Sequence, residues 1–530
     1  MIGKPCAFQK FVPEEVQHAS TRGVNRKRAT QYSVVRITRN YACLGSARVD
    51  MQFSWDGAAA SRVSTLTAMV YHRWFKALWV IVLGLSLCLT TIGPPAQAQK
   101  TAEVSALQSL SSERLPRWMW LDLELRSRTE AQTAINFLPG TSPLYNLTRA
   151  RAGIGVEAPR DFSAYLQFQD THALGLSLRY VASNMRDTFD LRQAYLQFAS
   201  KRTTVIAGRQ ELKFGDERLI GISNWANNSR TFDVVDVRLG SPENRVDFFS
   251  GSVVSIRPIS PDTPRGGFSL HGAYGTLTTL IPHVRFEPYI LFKTPAVRSQ
   301  QGIPGRERLV APGGRIVGKL PGRFDYNLEG VLERGSYSND SIHAGAGHAM
   351  LGYTASFLPW KPHIKAEYDY ASGNSHRNPL VVGTFDQFFP SNHDVFGLTD
   401  VFGWQNMKQR RLDVDFHPSK NFYCLIHGQS LHVATPHDAV YSSAGGILVG
   451  SPEGGFRSDD IGTEIDGELQ YANSHVPLLW EVGVGHLWPG ALMSANRHGA
   501  PLTLAYFQVT YKLSAHARTS NRRPASMKGD

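Results

Sequence analysis

The sequence predicts a transmembrane antiparallel β-barrel of about eighteen strands, an all-β fold with no plug domain. Three observations carry that prediction. From Trp118 onward, segment after segment alternates apolar and polar residues. This is the period-two signature of a strand with one face in oil and the other in water. A secretory signal precedes the alternation. After residue 100 no apolar run reaches the length of about 20 residues that a spanning helix needs, which excludes a helical membrane protein. A barrel shows lipid only every second residue, so its mean hydropathy, here −0.24, looks soluble.

The elements follow in order along the chain. Residues 1–68 precede the signal and are read as a non-native extension from an upstream start. Their basic cluster Arg26-Lys27-Arg28 then carries no function, and no nucleic-acid partner is expected. Residues 69–98 form the signal. His72, Arg73 and Lys76 are its basic start, Ala77–Leu89 its apolar run, and Ala96-Gln97-Ala98 the small-residue cleavage site. The bulky Leu87 before Cys88 argues against lipid acylation. Residues 99–117 are a periplasmic lead-in, 118–513 the barrel, and 514–530 a basic tail.

Strands are expected at 118–130, 147–158, 162–170, 189–199, 203–212, 231–239, 245–255, 267–275 and 284–294. The second half continues at 313–320, 323–335, 344–358, 362–372, 408–417, 421–434, 460–473, 477–488 and 501–513. Several have distinct faces. Asp122, Glu124, Arg126, Arg128 and Glu130 oppose Met119, Leu121, Leu123 and Leu125. Arg149, Arg151 and Glu157 oppose Ala150, Ala152, Ile154 and Val156. Asp325, Asn327, Glu329 and Glu333 oppose Leu328 and Leu332. Glu464, Asp466 and Glu468 oppose Ile461, Thr463 and Ile465. An Arg or Lys turned toward lipid costs about 2–4 kcal/mol at mid-membrane, so the charged faces line the lumen. In 189–199, Arg192 shares a face with Leu196 and Phe198, which places it at the interface or on a bulge. The segment 203–212 does not resolve its faces. Connections alternate between short turns, such as Pro159–Asp161, Pro321–Gly322 and Pro418–Lys420, and long loops at Asp216–Arg230, Gly373–Met407 and Thr435–Asp459. Short periplasmic turns and long outer loops suit this architecture.

Charge narrows the function classes. Residues 1–98 carry 12 Lys/Arg against 4 Asp/Glu, so +8 of the chain's +12 precedes the expected cut. The tail holds another +3, which leaves the barrel near +1. Only local basic patches can then matter. Only Cys424 lies after the cut, so the mature chain has no internal disulfide and no cysteine metal cluster. No cofactor is expected. Histidines such as His343, His348, His427 and His486 are scattered without metal spacing or a nucleophile motif, and the chain does not read as an enzyme.

About eighteen strands enclose an aqueous lumen unless something fills it. Too little chain precedes the first strand for a plug, so an inward-folding loop is the alternative, and Gly373–Met407 is the best candidate by length. Arg126, Arg128, Arg149 and Arg151 fall on neighbouring strands under about 5 Å apart and can form one guanidinium patch. Arginine's planar fork suits carboxylates. The same patch could simply neutralise Glu124, Glu130 and Glu157.

Three groups of strings then resemble the alginate export family of Gram-negative outer-membrane proteins. The first is FDLRQAYLQF (189–198) with GRQELKFGDERLIG (208–221) and NWANNSRTFDVVDV (224–237). The second is ASGN (371–374) and GTFDQFFPSNH (383–393) with Asp400 and Trp404. The third is the closing IGTEIDGELQY, GHLWPG and AYFQVTYKL. The resemblance implies an eighteen-stranded barrel with an arginine-rich constriction that passes an anionic uronate polymer outward. It implies Arg192, Arg209, Arg218 and Arg230 as pore or loop cations, with Asp216, Glu217 and Asp233 as their acidic partners. The expected partners are an anionic polysaccharide or small anionic solute, outer-membrane lipid, and periplasmic proteins that would feed export through a monomeric pore. The expected function is a passive outer-membrane channel for anionic, carbohydrate-like solutes. The alternative is an uptake porin for small nutrients unrelated to polysaccharide.

Overall fold

A computed structural model describes residues 115–516 apart from 301–302, 376–379, 394 and 474–475. The expected extension, signal and most of the lead-in and tail lie outside the described residues. Eighteen strands form the wall. The first nine are β1 (Met119–Thr133), β2 (Leu144–Ala158), β3 (Phe162–Leu174), β4 (Asp187–Ala199), β5 (Thr203–Gln210), β6 (Phe232–Gly240), β7 (Asn244–Ser255), β8 (Ser269–Ile281) and β9 (Val284–Gln300). The others are β10 (Ile303–Leu320), β11 (Phe324–Tyr337), β12 (Asp340–Thr354), β13 (His363–Ala371), β14 (Met407–Ser419), β15 (Phe422–Val433), β16 (Asp460–Ala472), β17 (Leu478–Pro489) and β18 (Leu502–His516). Each pairs antiparallel with its sequence neighbour. Pairing of β1 with β18, from Trp120 opposite His516 to Thr133 opposite Thr503, closes the ring. Closure leaves no free sheet edge. No helix among the described residues is long and apolar enough to cross a membrane; the chain crosses with strands.

The alternation sorts side chains as the sequence predicts. Leu125, Leu328, Leu332, Leu412 and Ile465 are exposed on the outer face, while Arg128, Glu333, Asp413 and Glu464 are buried on the inner one. Leu332, near the middle of β11, tests this directly. Leu332→Arg is expected to lower stability by about 2–4 kcal/mol, read as the urea midpoint of unfolding from vesicles. An unchanged midpoint would mean that this face does not meet acyl chains.

Three details differ from the sequence reading, and for Arg192 the structure takes the bulge rather than the interface. Arg192 turns inward because the β3–β4 register slips twice, between Gln167/Phe168 and Gln169/Thr171. The bulge flips its side chain off the face of Leu196. Strand β10 begins at Ile303 rather than residue 313, since Pro295, Pro304 and Pro312 interrupt the apolar pattern of a hairpin that still pairs. Ile461 is buried rather than lipid-facing. The ladder shifts between Leu431 and His432, opposite this end of β16, and Gly462 takes φ 153° there. Strand β18 runs on to His516, past Leu513, with Ser514 Oγ donating to Asp122. In β5, whose faces the pattern leaves open, Ile206 and Gln210 are buried. Gly208, at φ 129°, leaves room for the Ala194 carbonyl, which an added Cβ would meet at 2.2 Å.

The long connections, at the end away from both described termini, fold inward. Phe385, Phe396, Phe402 and Trp404 of the 372–406 loop are fully buried with Leu219 and Ile220 of the 211–231 loop. The barrel therefore contains an apolar core built from its own loops.

Candidate lumenal constriction

Loop 211–231 crosses the lumen as a chord. On one wall, Arg126 at mid-height of β1 donates to the carbonyl of Asn224 (2.9 Å), to those of Trp225 and Ala226, and to Asn227 Oδ1 (3.1 Å). Nine strands away, Asp216 of the same loop accepts from Arg315 on β10 and from Asn327. Strands nine apart in an eighteen-strand ring lie on opposite walls.

The four arginines of the predicted patch are brought together, and each reaches the Asn224–Asn228 stretch. Arg128 bonds Glu130 (2.6 Å) and the Trp225 carbonyl (2.9 Å), and its guanidinium carbon lies 3.5 Å from the centre of the Trp225 ring. Arg149 grips Glu124 (2.7 Å) and donates to the Asn224 and Asn227 carbonyls. Arg151 donates to Gln169 (2.7 Å) and to the Asn228 carbonyl (3.4 Å), with Glu124 at 3.6 Å. Arg192, delivered by its bulge, pairs with Glu211 (2.5 Å) and reaches Gln167 and Ser229. Five guanidiniums thus meet three carboxylates, Glu124, Glu130 and Glu211, a balance of +2, and beside them Lys512, 4.0 Å from Glu124, and Glu481, in the field of Arg126 and Arg128, offset each other. Their other hydrogen bonds go to neutral oxygens of the loop and of Gln167, Gln169 and Gln508, while Arg126 Nε and Arg192 Nε are buried without one. Burial works against ionisation of Glu211, but Arg192 and Arg151 beside it hold its carboxyl below the usual range.

The loop is pinned from behind. Asn227 Nδ2 donates to the carbonyls of Thr148, His172 and Met185, and Asn228 Nδ2 to Ser183. Trp225 also stacks flat on His393 of the second loop, ring centres 3.6 Å apart. Burial, then the charge of Arg128, depress the His393 pKa well below its ordinary value, so its imidazole is neutral.

Apart from Arg192, the residues implied by the family resemblance fall at four places. Arg209 pairs with Asp233 (2.8 and 3.1 Å) and also donates to the Leu191 and Asp262 carbonyls. Arg218 inserts among Asp369 (2.8 Å), Glu367 (3.6 Å) and His348 (3.4 Å). Those three groups could hold a metal by geometry, but the guanidinium already supplies the cation. Arg230 donates to the Gly221, Phe389 and Pro390 carbonyls, joining the two loops. Burial lowers its pKa to about 10, against which Glu217 acts, so it stays charged at neutral pH. Glu217 accepts from the Ile222 amide and Ser391 Oγ (2.6 Å). Asp216 turns to Arg315 rather than to the four arginines. Ile220 and Phe389 form a parallel bridge where the loops meet.

Sequence reasoning did not find what anchors the second loop. Leu398 N bonds Asp466 (3.1 Å), Thr399 bonds Glu464 through both its amide and its hydroxyl, and Lys293 bridges Glu307 (2.7 Å) and Asp386. The paired asparagines of NWANNSR were the visible signal for the first loop, since buried amides must be bonded.

The fold is similar to that of several solved outer-membrane structures. The outer membrane protein OpdK of Pseudomonas aeruginosa superposes with TM-score 0.50 at 11% identity, over 75% of this chain and 98% of that one. OccAB4 of Acinetobacter baumannii gives 0.51 at 10% over 76% and 100%, and OccD3 (OpdP) of P. aeruginosa 0.51 at 9% over 80% and 100%. Identities this low establish the fold alone. No curated protein matches the chain in sequence. The closed barrel, together with a match to the alginate export family, places the protein in a Gram-negative outer membrane, as a channel. The sequence model of the alginate export family matches residues 117–501, well over half of the chain, and the protein belongs to that family.

Proposed function

We propose that the barrel passively conducts anionic, carbohydrate-like solutes, uronate chains among them, and that Arg126, Arg128, Arg149, Arg151 and Arg192 select them. One observation supports this above the others: five buried guanidiniums pair with only three carboxylates, and their other hydrogen bonds go to neutral groups, chiefly backbone carbonyls of a loop. A salt-bridge lattice that only braced the wall would balance its charges. Crowded, desolvated cations of one sign are costly. A neutral carbonyl satisfies a guanidinium N–H but not its charge, whereas a carboxylate satisfies both. A uronate carboxylate reaching this level therefore competes with the Asn224–Asn228 carbonyls, and loop 211–231 yields to cargo. A single chain completes this lumen, and polymer cargo requires a periplasmic partner that delivers it.

Flux into liposomes tests the reading. Oligouronates are expected to enter faster than neutral oligosaccharides of the same length. Equal or faster entry of the neutral sugars would make the protein a general uptake porin and remove the arginines from selection.

A further inference from the structure

We propose that Asp187, Asp190 and Asp262 form a Ca²⁺ site that ties the outer loop 256–268 to the start of β4. One carboxylate oxygen from each residue lies within 4.8 Å of those of the other two. Asp187 and Asp190 enter from the loop-bearing end of β4, and Asp262 comes from the loop between β7 and β8. These elements are far apart in sequence, and an ion among them would act as a clasp.

A second observation separates this group from an ordinary acidic patch. Asp187 is 2% exposed, and its Oδ1 has no hydrogen-bond partner. A buried carboxylate oxygen left unpaired is costly, and here it sits beside two further carboxylates. The other two are pre-set as ligands. Asp190 accepts the Leu191 amide (2.6 Å) and the Asp262 amide (2.5 Å), and Asp262 accepts the Arg257 amide (2.7 Å). Each keeps lone pairs for a cation, as calcium-binding carboxylates do.

Arg209 and Arg257 lend their charge to Asp262 from a distance, but Arg209 and His172 direct their hydrogen bonds to other groups. Arg209 directs its N–H groups to Asp233 and to the Leu191 and Asp262 carbonyls, with none to the three carboxylates. His172 serves Asp170 at 3.0 Å. Oxygen-only ligands, one of them from a loop, suit Ca²⁺ better than Mg²⁺, which demands near-octahedral geometry. Besides the Asp262 amide bond to Asp190, the loop is held to β4 by Thr188, which donates to the Pro258 carbonyl.

Equilibrium dialysis of the detergent-solubilised full chain against ⁴⁵Ca²⁺ tests the site. One ion per chain is expected, with a dissociation constant on the order of 10⁻⁴–10⁻³ M, the range of extracellular calcium modules. Asp187→Asn should weaken it at least about tenfold, because one charged ligand is lost. That variant removes no hydrogen bond of the Asp187 Oδ1 and should keep the heat-modifiable gel migration of the folded barrel. Ca²⁺ should also slow tryptic cleavage after Arg265 in the wild type but not in the variant. Absent binding to the wild type, undiminished binding to a folded Asp187→Asn chain, or equal affinity for Mg²⁺ would overturn the assignment.

Discussion

Replacing Arg149 and Arg151 together by glutamate is expected to turn the channel from anion- to cation-selective. The wild-type cluster carries five guanidiniums against Glu124, Glu130 and Glu211, a balance of +2. The double variant carries three against five, a balance of −2. Two unit charges about 4 Å apart interact by about 4 kcal/mol at an effective dielectric near 20, so the change is large on the scale of thermal energy. The loop also responds. Arg149 donates to the Asn224 and Asn227 carbonyls and Arg151 to that of Asn228. A glutamate at either position would face those oxygens, and Glu124 as well, with nothing to donate. The Asn224–Asn228 stretch should leave the wall, and conductance should rise as the ion preference reverses. In planar bilayers under a KCl gradient the zero-current potential is expected to change sign. An unchanged potential would remove these two arginines from the permeation path. Arg149→Gln with Arg151→Gln, which keeps donors but not charge, should fall between the two.

Excising Asp216–Arg230, with Gly215 bridged to Thr231 by a short Gly/Ser linker, is expected to raise single-channel conductance severalfold while the channel still prefers anions. The segment is the chord from β1 to β10, and a barrel of this strand number without a filling element encloses a wide aqueous lumen. The wall arginines remain and lose their contacts with the loop, chiefly its carbonyls. The cost falls on stability: Leu219 and Ile220 leave the loop core, and Arg218 no longer neutralises Asp369 and Glu367. An unchanged conductance would show that the 372–406 loop alone sets the constriction. A loss of anion preference would show that selectivity resides in the loop.

All eighteen strands were legible, because strands of period two with charges on one face, repeated behind a stretch that reads as a secretory signal, fit few folds besides a membrane barrel. The juxtaposition of Arg126, Arg128, Arg149 and Arg151 was legible for the same reason, since strand neighbours and lumenal parity follow from the pattern. What the pattern could not carry was what meets those arginines. Their shared partners are backbone carbonyls of residues 224–228, and a carbonyl has no identity in a sequence. Arg192, out of parity with Leu196 and Phe198, marked an interface position or a bulge, but only the register slips of β3 and β4 show that it turns inward. The hairpin at 284–320 was under-read because its prolines mimic a loop, although a proline whose N–H would face away from the partner strand leaves the ladder intact. Length pointed to the 372–406 loop as the inward one. The shorter 211–231 loop also turned in, drawn by charge rather than by span.

Selection by this channel requires a closed ring of strands whose inward loops meet a net positive cluster at mid-height. The zero-current potential of the wild-type channel in a KCl gradient, with and without oligouronate, tests that requirement most directly. Anion selectivity, with current blocked by oligouronate and not by a neutral oligosaccharide, is the predicted result. A cation-selective or unselective wild-type channel that oligouronate leaves open would contradict it.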